Sequence, residues 1–111
     1  MRSPFKAAPA LRALWLLAAL LASAQPACAS QALARKHGCL GCHAVATPLV
    51  GPAYQQVAEK YAGNTEALAT LVRQIREGGG GNWGDMAMPP QPQVSAGDAR
   101  RLAAWILGGA K

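Results

Sequence analysis

Two cysteines separated by two residues and followed at once by a histidine, Cys39-Leu40-Gly41-Cys42-His43, constrain this chain of 111 residues more than any other feature. The chemistry of such a run is specific. Thiols at this spacing can add across the two vinyl groups of a haem to give thioether bonds, and the imidazole that follows is then placed beneath the iron as an axial ligand. One helix-like turn between the thiols suits two vinyls on adjacent edges of a porphyrin. Cys39 and Cys42 are therefore candidate covalent attachment points for a haem c, and His43 is a candidate iron ligand.

Two rival chemistries use paired cysteines. A thioredoxin-like redox disulfide belongs to a fold of alternating strands and helices, and this sequence has almost no strand signal. A structural zinc wants four ligands. Beyond the N-terminal segment the only thiols and imidazoles are Cys39, Cys42, His37 and His43, and the adjacency of Cys42 and His43 is awkward for one tetrahedron. The remainder of the chain favours haem.

The N-terminal segment reads as an export leader. Arg2, Lys6 and Arg12 form a basic front, and Ala13 to Ala24 is an uncharged apolar run of the length of a signal-peptide core, too short for a membrane span of about 20 residues. Small residues follow at two candidate cleavage sites, after Ala29 or after Ala24. The first is favoured because it removes Cys28 and leaves no unpaired thiol in an exported protein. The expected organisation is a cleaved leader at residues 1–29 and one small domain at residues 30–111.

A domain this short buries little core by itself and usually needs a staple, which a covalent haem would supply along with a large apolar plate. The formal charge of +6 belongs partly to the leader. From Ser30 onward eight lysines and arginines face five acids, a formal +3, and haem propionates would lower it further. Nucleic-acid binding gains no support from so small a balance.

The periodicity predicts helices. Residues 31–38 read as a short helix leading into the cysteine run, with Gly38 placed where a bulky side chain would block a close helix crossing and His37 on the surface. Residues 44–53, with Pro48, Gly51 and Pro52, read as loop. An iron-bound histidine needs an acceptor for its other ring N–H, and the Pro52 carbonyl is the candidate. A second helix over residues 54–61 turns Tyr54, Val57, Ala58 and Tyr61 inward. A third, over residues 66–77 and capped by Asn64 or Thr65, buries Ala67, Leu68, Leu71, Val72 and Ile75. Gly78 to Gly81 read as a mobile connection. A last helix follows Ser95, whose spacing to Asp98 resembles a capping box, and buries Leu102, Ala103, Trp105, Ile106 and Leu107. Trp105 is expected to cross the first helix near Gly38.

Between the last two helices lies Asn82-Trp83-Gly84-Asp85-Met86-Ala87-Met88-Pro89-Pro90. A thioether on the second axial position raises a haem's potential and keeps small molecules away from the iron. Met88 is the preferred candidate, because Pro89 and Pro90 fix the backbone after it and lower the entropy lost in holding a weak ligand; Met86 is a competitor. Methionines are commonly core filler, but these neighbours are Gly, Asp and Pro rather than a helical stripe. Trp83 could donate its indole N–H to a propionate or simply pack.

These pieces, Gly38-Cys39-Leu40-Gly41-Cys42-His43-Ala44, Val50-Gly51-Pro52-Ala53-Tyr54, Trp83-Gly84, Met88-Pro89-Pro90 and Trp105, stand in the order and at the spacings of the short class I cytochromes c of the bacterial periplasm, which the chain resembles over essentially all of residues 30–111. The resemblance implies an all-α fold of four short helices around one covalently attached haem c. It implies thioethers at Cys39 and Cys42, His43 oriented by the Pro52 carbonyl, Met88 as the other iron ligand, and Trp83 at a propionate. It further implies a periplasmic, monomeric one-electron carrier rather than an enzyme, with a membrane cytochrome complex as donor and nitrite reductase or a terminal oxidase as acceptor, without stable membrane insertion after cleavage.

Three departures from that family qualify the expectation. Asp85-Met86-Ala87 stands where closely similar members carry prolines, Gln91 where an asparagine is frequent, and Gln74 where an arginine meets a propionate, with Arg73 the available substitute. A methionine that is easier to displace is the predicted result, and with it an alternative function, binding or sensing a small ligand such as nitric oxide.

Overall fold

The computed structural model describes residues 27–111, with side chains described from Ser30 onward; the expected leader lies outside the described residues apart from the first turn of the first helix. The described chain is helical: α1 Ala27–Lys36, a single 3-10 turn Cys39–Gly41, α2 Tyr54–Lys60, α3 Ala67–Glu77 and α4 Ala96–Leu107. The only β-type pairing among the described residues is one isolated bridge between Gly79 and Met88. An all-α arrangement of four short helices agrees with the expectation.

Helix α4 organises the core, packing against α1, α2 and α3 in turn. Its predicted apolar stripe is the one that is buried, with Leu102, Ala103, Trp105 and Ile106 inside and Leu107 half-buried. Facing residues are small or branched to match: Ala34 of α1, Val57 of α2 and Leu71 of α3. Trp105 meets Tyr54 edge to face, with ring centroids 5.4 Å apart, a geometry that aromatic quadrupoles favour. The Trp105 indole N–H donates to the Lys111 carbonyl at 3.2 Å, so burying the ring leaves no polar atom unpaired.

The ends of the helices differ from expectation in informative ways. Helix α1 begins four residues before Gln31 and ends at Lys36, because alanine at 27 and 29 has the highest intrinsic helix propensity. Gly38 is not a packing gap. A Cβ built on it would meet nothing, whereas its φ of +73° lies in the left-handed region, where a glycine ends a helix without strain. His37 is not a free surface residue: its Nε2 lies 3.0 Å from an Asp98 carboxylate oxygen, joining α1 to the first turn of α4. That contact also revises the expected capping box. Ser95 Oγ accepts the Asp98 N–H at 3.1 Å, but the Asp98 carboxylate turns to His37 instead of returning to the Ser95 backbone, and the reach of a glutamate at that position is missing. At the start of α3, Asn64 Oδ1 accepts the Glu66 N–H at 2.9 Å.

Gly78 to Gly81 is not a featureless connection. Gly79 and Met88 exchange both backbone hydrogen bonds, at 3.0 and 2.8 Å, closing the base of the loop that leads to Met88. Gly78 caps α3 with φ +71°, and a Cβ there would fall within 3 Å of the Pro89 and Pro90 backbone. Two demands therefore meet on one residue, a left-handed backbone and the absence of a side chain.

Candidate haem site

The left-handed turn at Gly38 delivers the chain directly into the 3-10 turn that carries Cys39. Cys42 and His43 both donate their backbone N–H to the Cys39 carbonyl, at 3.2 and 3.0 Å. This tight turn brings both thiols and the imidazole to the edge of one cleft. Cys39 is half-buried and Cys42 is exposed. Burial pushes the Cys39 thiol above its ordinary pKa, against a smaller opposing effect from the neighbouring Tyr54 hydroxyl, so in the unattached chain this sulfur is held as the neutral thiol. Burial beside Cys39 likewise pushes the Tyr54 hydroxyl up.

His43 is held from three directions. Its Nδ1 lies 2.8 Å from the Pro52 carbonyl oxygen. A carbonyl only accepts, so Nδ1 carries the proton and Nε2 is left with its lone pair available. Tyr54 stacks on the imidazole, centroids 5.2 Å apart and planes 18° from parallel. Gly51 lies against the ring so closely that a Cβ there would come within 2.9 Å of Nδ1. The loop that supplies these contacts is pinned back to the cysteine run, with Gly51 N–H donating to the Cys42 carbonyl at 2.8 Å and Tyr54 N–H to the Ala44 carbonyl at 2.9 Å. The sequence points to Pro52 as the acceptor; the roles of Gly51 and Tyr54 emerge in the structure, and the glycine between Val50 and Pro52 is the sequence signal for the first.

The cleft has a volume of about 370 Å³, in the range of small-molecule and cofactor sites. Cys39, Cys42, His43, Pro52, Trp83 and Met88 all line it, so the structure brings every predicted site residue to one place. Met86 lines it as well and is 65 % exposed, whereas Met88 is partly buried. Leu71, Ile75, Leu102 and Ile106 form its apolar floor. Gln74 and Gln91 reach the cleft, but Arg73 does not. It lines a separate cleft with Arg76 and Arg100, away from the face of Leu71, Gln74 and Ile75 that lines the main one, and is no substitute for the expected arginine.

Trp83 is 38 % exposed and lies beneath the Lys60 ammonium, 4.5 Å from the ring centroid. Leu49, Val50 and Met86 line the same cleft.

The donor set fits one covalently held haem. Two thiols stand at one edge, an imidazole whose Nδ1 is committed to the Pro52 carbonyl stands beside them, and a thioether on a separate segment lines the same cleft. Comparison with known proteins agrees. Residues 28–110 match the family described as Cytochrome c. Cytochrome c-551 of Allochromatium vinosum is 48 % identical over 85 residues, spanning 77 % of this chain and 90 % of that protein. Cytochrome c-552 of Hydrogenobacter thermophilus is 44 % identical over 93 residues, spanning 84 % and 94 %. The crystal structure of wild-type Nitrosomonas europaea cytochrome c552 superposes with a TM-score of 0.69 at 45 % identity, covering 70 % of this chain and 96 % of that one. With this geometry and these relatives, the chain belongs to the cytochrome c family, as a small class I monohaem electron-transfer protein with one covalently attached haem c.

Proposed function

We propose that residues 30–111, freed of an export leader at residues 1–29, act in the periplasm as a one-electron shuttle whose iron is held by His43 and Met88, with thioethers at Cys39 and Cys42 and Trp83 serving a propionate. The observation that carries the reading is the 2.8 Å hydrogen bond from His43 Nδ1 to the Pro52 carbonyl, which leaves Nε2 as the ring nitrogen able to bind a metal. When bound, the haem supplies a one-electron ferric/ferrous couple.

The chain's own residues hold both oxidation states without rearrangement. Tyr54 and Gly51 fix the imidazole plane. The Gly79–Met88 bridge and the two prolines after it fix the backbone that carries the thioether. Leu71, Ile75, Leu102 and Ile106 exclude water from the floor, which lowers the solvent reorganisation that accompanies each change of charge. With His43 and Met88 as its ligands a bound haem would have no position open to a substrate, which supports a carrier without substrate chemistry of its own.

Partners are redox proteins: a membrane cytochrome complex as donor, and nitrite reductase or a terminal oxidase as acceptor, each meeting the carrier as a monomer. The chain's place in the cytochrome c family supports this. Among the described residues no helix is long and apolar enough to cross a membrane.

The test is an absorption spectrum of the mature protein from periplasmic expression. Haem that stays attached on denaturation, with the weak far-red ferric band of iron bound to methionine sulfur that disappears in Met88→Ala, is the expected result. Attached haem that is high-spin and takes up carbon monoxide readily would replace it with a ligand-binding function, such as nitric oxide binding. That second reading draws on the exposed, glycine-rich loop ahead of Met88.

A further inference from the structure

Residues 80–87 form the tip of the loop that leads to Met88. The base of this loop is closed by the paired hydrogen bonds of Gly79 and Met88. Between those two residues the loop makes, among the described residues, a single hydrogen bond to the rest of the protein: Lys60 Nζ donates to the Asn82 carbonyl at 2.6 Å. The same ammonium stands 4.5 Å above the Trp83 ring. Lys60 is the last residue of α2, and the first, Tyr54, is the ring stacked on His43. One short helix therefore touches the imidazole at one end and the methionine loop at the other.

We propose that Lys60 is a positioning residue: it holds the Met88 loop closed on the cleft and so sets how readily the methionine gives way to an incoming ligand. The inference rests on the reading of Met88 as an iron ligand.

Gly81 and Gly84 both have positive φ in this loop, so the open chain has many conformations and closure loses much entropy. Two interactions that exist only in the closed state oppose that loss. The first is a hydrogen bond from a charged donor, which is stronger than a neutral one. The second is the attraction of the same charge to an indole face. An exogenous ligand binds only where the methionine has left, so its apparent affinity scales with the open fraction. Removing the ammonium raises that fraction and tightens the apparent binding.

The test is an imidazole titration of the mature ferric holoprotein, followed through the far-red band lost when methionine leaves the iron. Lys60→Gln is expected to tighten apparent imidazole binding about tenfold, equivalent to about 1.4 kcal/mol. Lys60→Arg keeps a charged donor and a ring contact and is expected to stay within about twofold of the parent. Arg100→Gln, which removes the same charge from the other cleft, controls for net charge. If Lys60→Gln binds imidazole no more tightly than Arg100→Gln, the positioning role is overturned, even if the variant melts at a lower temperature. Met88→Ala separates the two ideas. Persistence of the band in that variant would remove the ligand assignment and this proposal with it; its loss, with Lys60→Gln behaving as the parent, would remove the Lys60 role alone.

Discussion

Gly51 and His43 are packed so that the imidazole takes the space a side chain at Gly51 would need: a Cβ there would lie 2.9 Å from Nδ1 and 3.0 Å from Nε2. The glycine sits beside Pro52, whose carbonyl holds the Nδ1 proton. The Gly51 backbone, the Pro52 carbonyl and the stacked Tyr54 ring together restrict the imidazole.

Gly51→Ala therefore tests how tightly that orientation is enforced. The added methyl must push the ring or the loop, and overpacking of this kind costs about 1–3 kcal/mol. A melting temperature lower by roughly 4–8 °C for each kcal/mol is expected in a domain of this size. A weaker Nδ1–carbonyl bond lowers the basicity of the imidazole, so if His43 holds the iron as proposed the reduction potential should move as well. An unchanged potential and melting temperature would mean that the ring yields without effect.

Gly78→Ala tests the other side of the cleft. The residue combines φ +71° with a position against the Met88, Pro89 and Pro90 backbone, so alanine meets both a strained conformation and a clash. Each alone costs on the order of 1–3 kcal/mol. The expected outcome is marked destabilisation together with easier displacement of methionine by imidazole. Gly80→Ala is the matched comparison. Its Cβ would meet only Ala87, at 3.3 Å for the nearest atom, and its φ is not positive, so a much smaller effect is expected.

The contrast between these glycines shows where sequence reasoning stops. The cysteine–histidine run and the Met-Pro-Pro stretch stand out because residue types at fixed short spacing suggest a chemistry locally, and the structure brings both to one cleft. The apolar faces of α3 and α4 are legible for the same reason, through helical periodicity. Gly51, Gly78 and Gly38 are not. Each is required by a backbone angle or by a neighbour, and only the first had a sequence signal, its place before Pro52. The His37–Asp98 pairing is not legible in the sequence, because the two residues are 61 positions apart and nothing in either neighbourhood announces it.

That pairing predicts an acid dependence of stability. Hydrogen bonding to His37 is the main cause that holds the Asp98 carboxyl below its usual pKa, with Lys36 and Arg101 contributing less. A carboxyl whose pKa is lower folded than unfolded stabilises the fold above its unfolded value, about 3.9, and that contribution is lost as pH falls through the folded value. Asp98→Asn should therefore unfold at lower denaturant than the parent at pH 7, with the gap narrowing as the pH falls below about 4. His37→Ala should reproduce much of the effect. Parallel stability curves for parent and Asp98→Asn across the acid range would exclude the linkage.

Leu102 joins the core to the site and separates their two contributions. It is 1 % exposed and belongs to the helix that packs against all three others, yet its side chain also reaches the floor of the cleft. Truncation to alanine removes buried methyl and methylene groups and leaves a cavity, with a loss of about 2–5 kcal/mol expected in denaturant unfolding. The two side chains proposed to hold the iron reside on other segments: His43 is fixed by Pro52, Gly51 and Tyr54, and Met88 by its bridge to Gly79. Leu102→Ala is thus expected to lower stability strongly while retaining the far-red methionine band in the folded protein. Gly78→Ala should disturb both. A Leu102→Ala variant that stays folded but loses the band would show that the core, rather than the two loops that carry His43 and Met88, keeps the methionine in place.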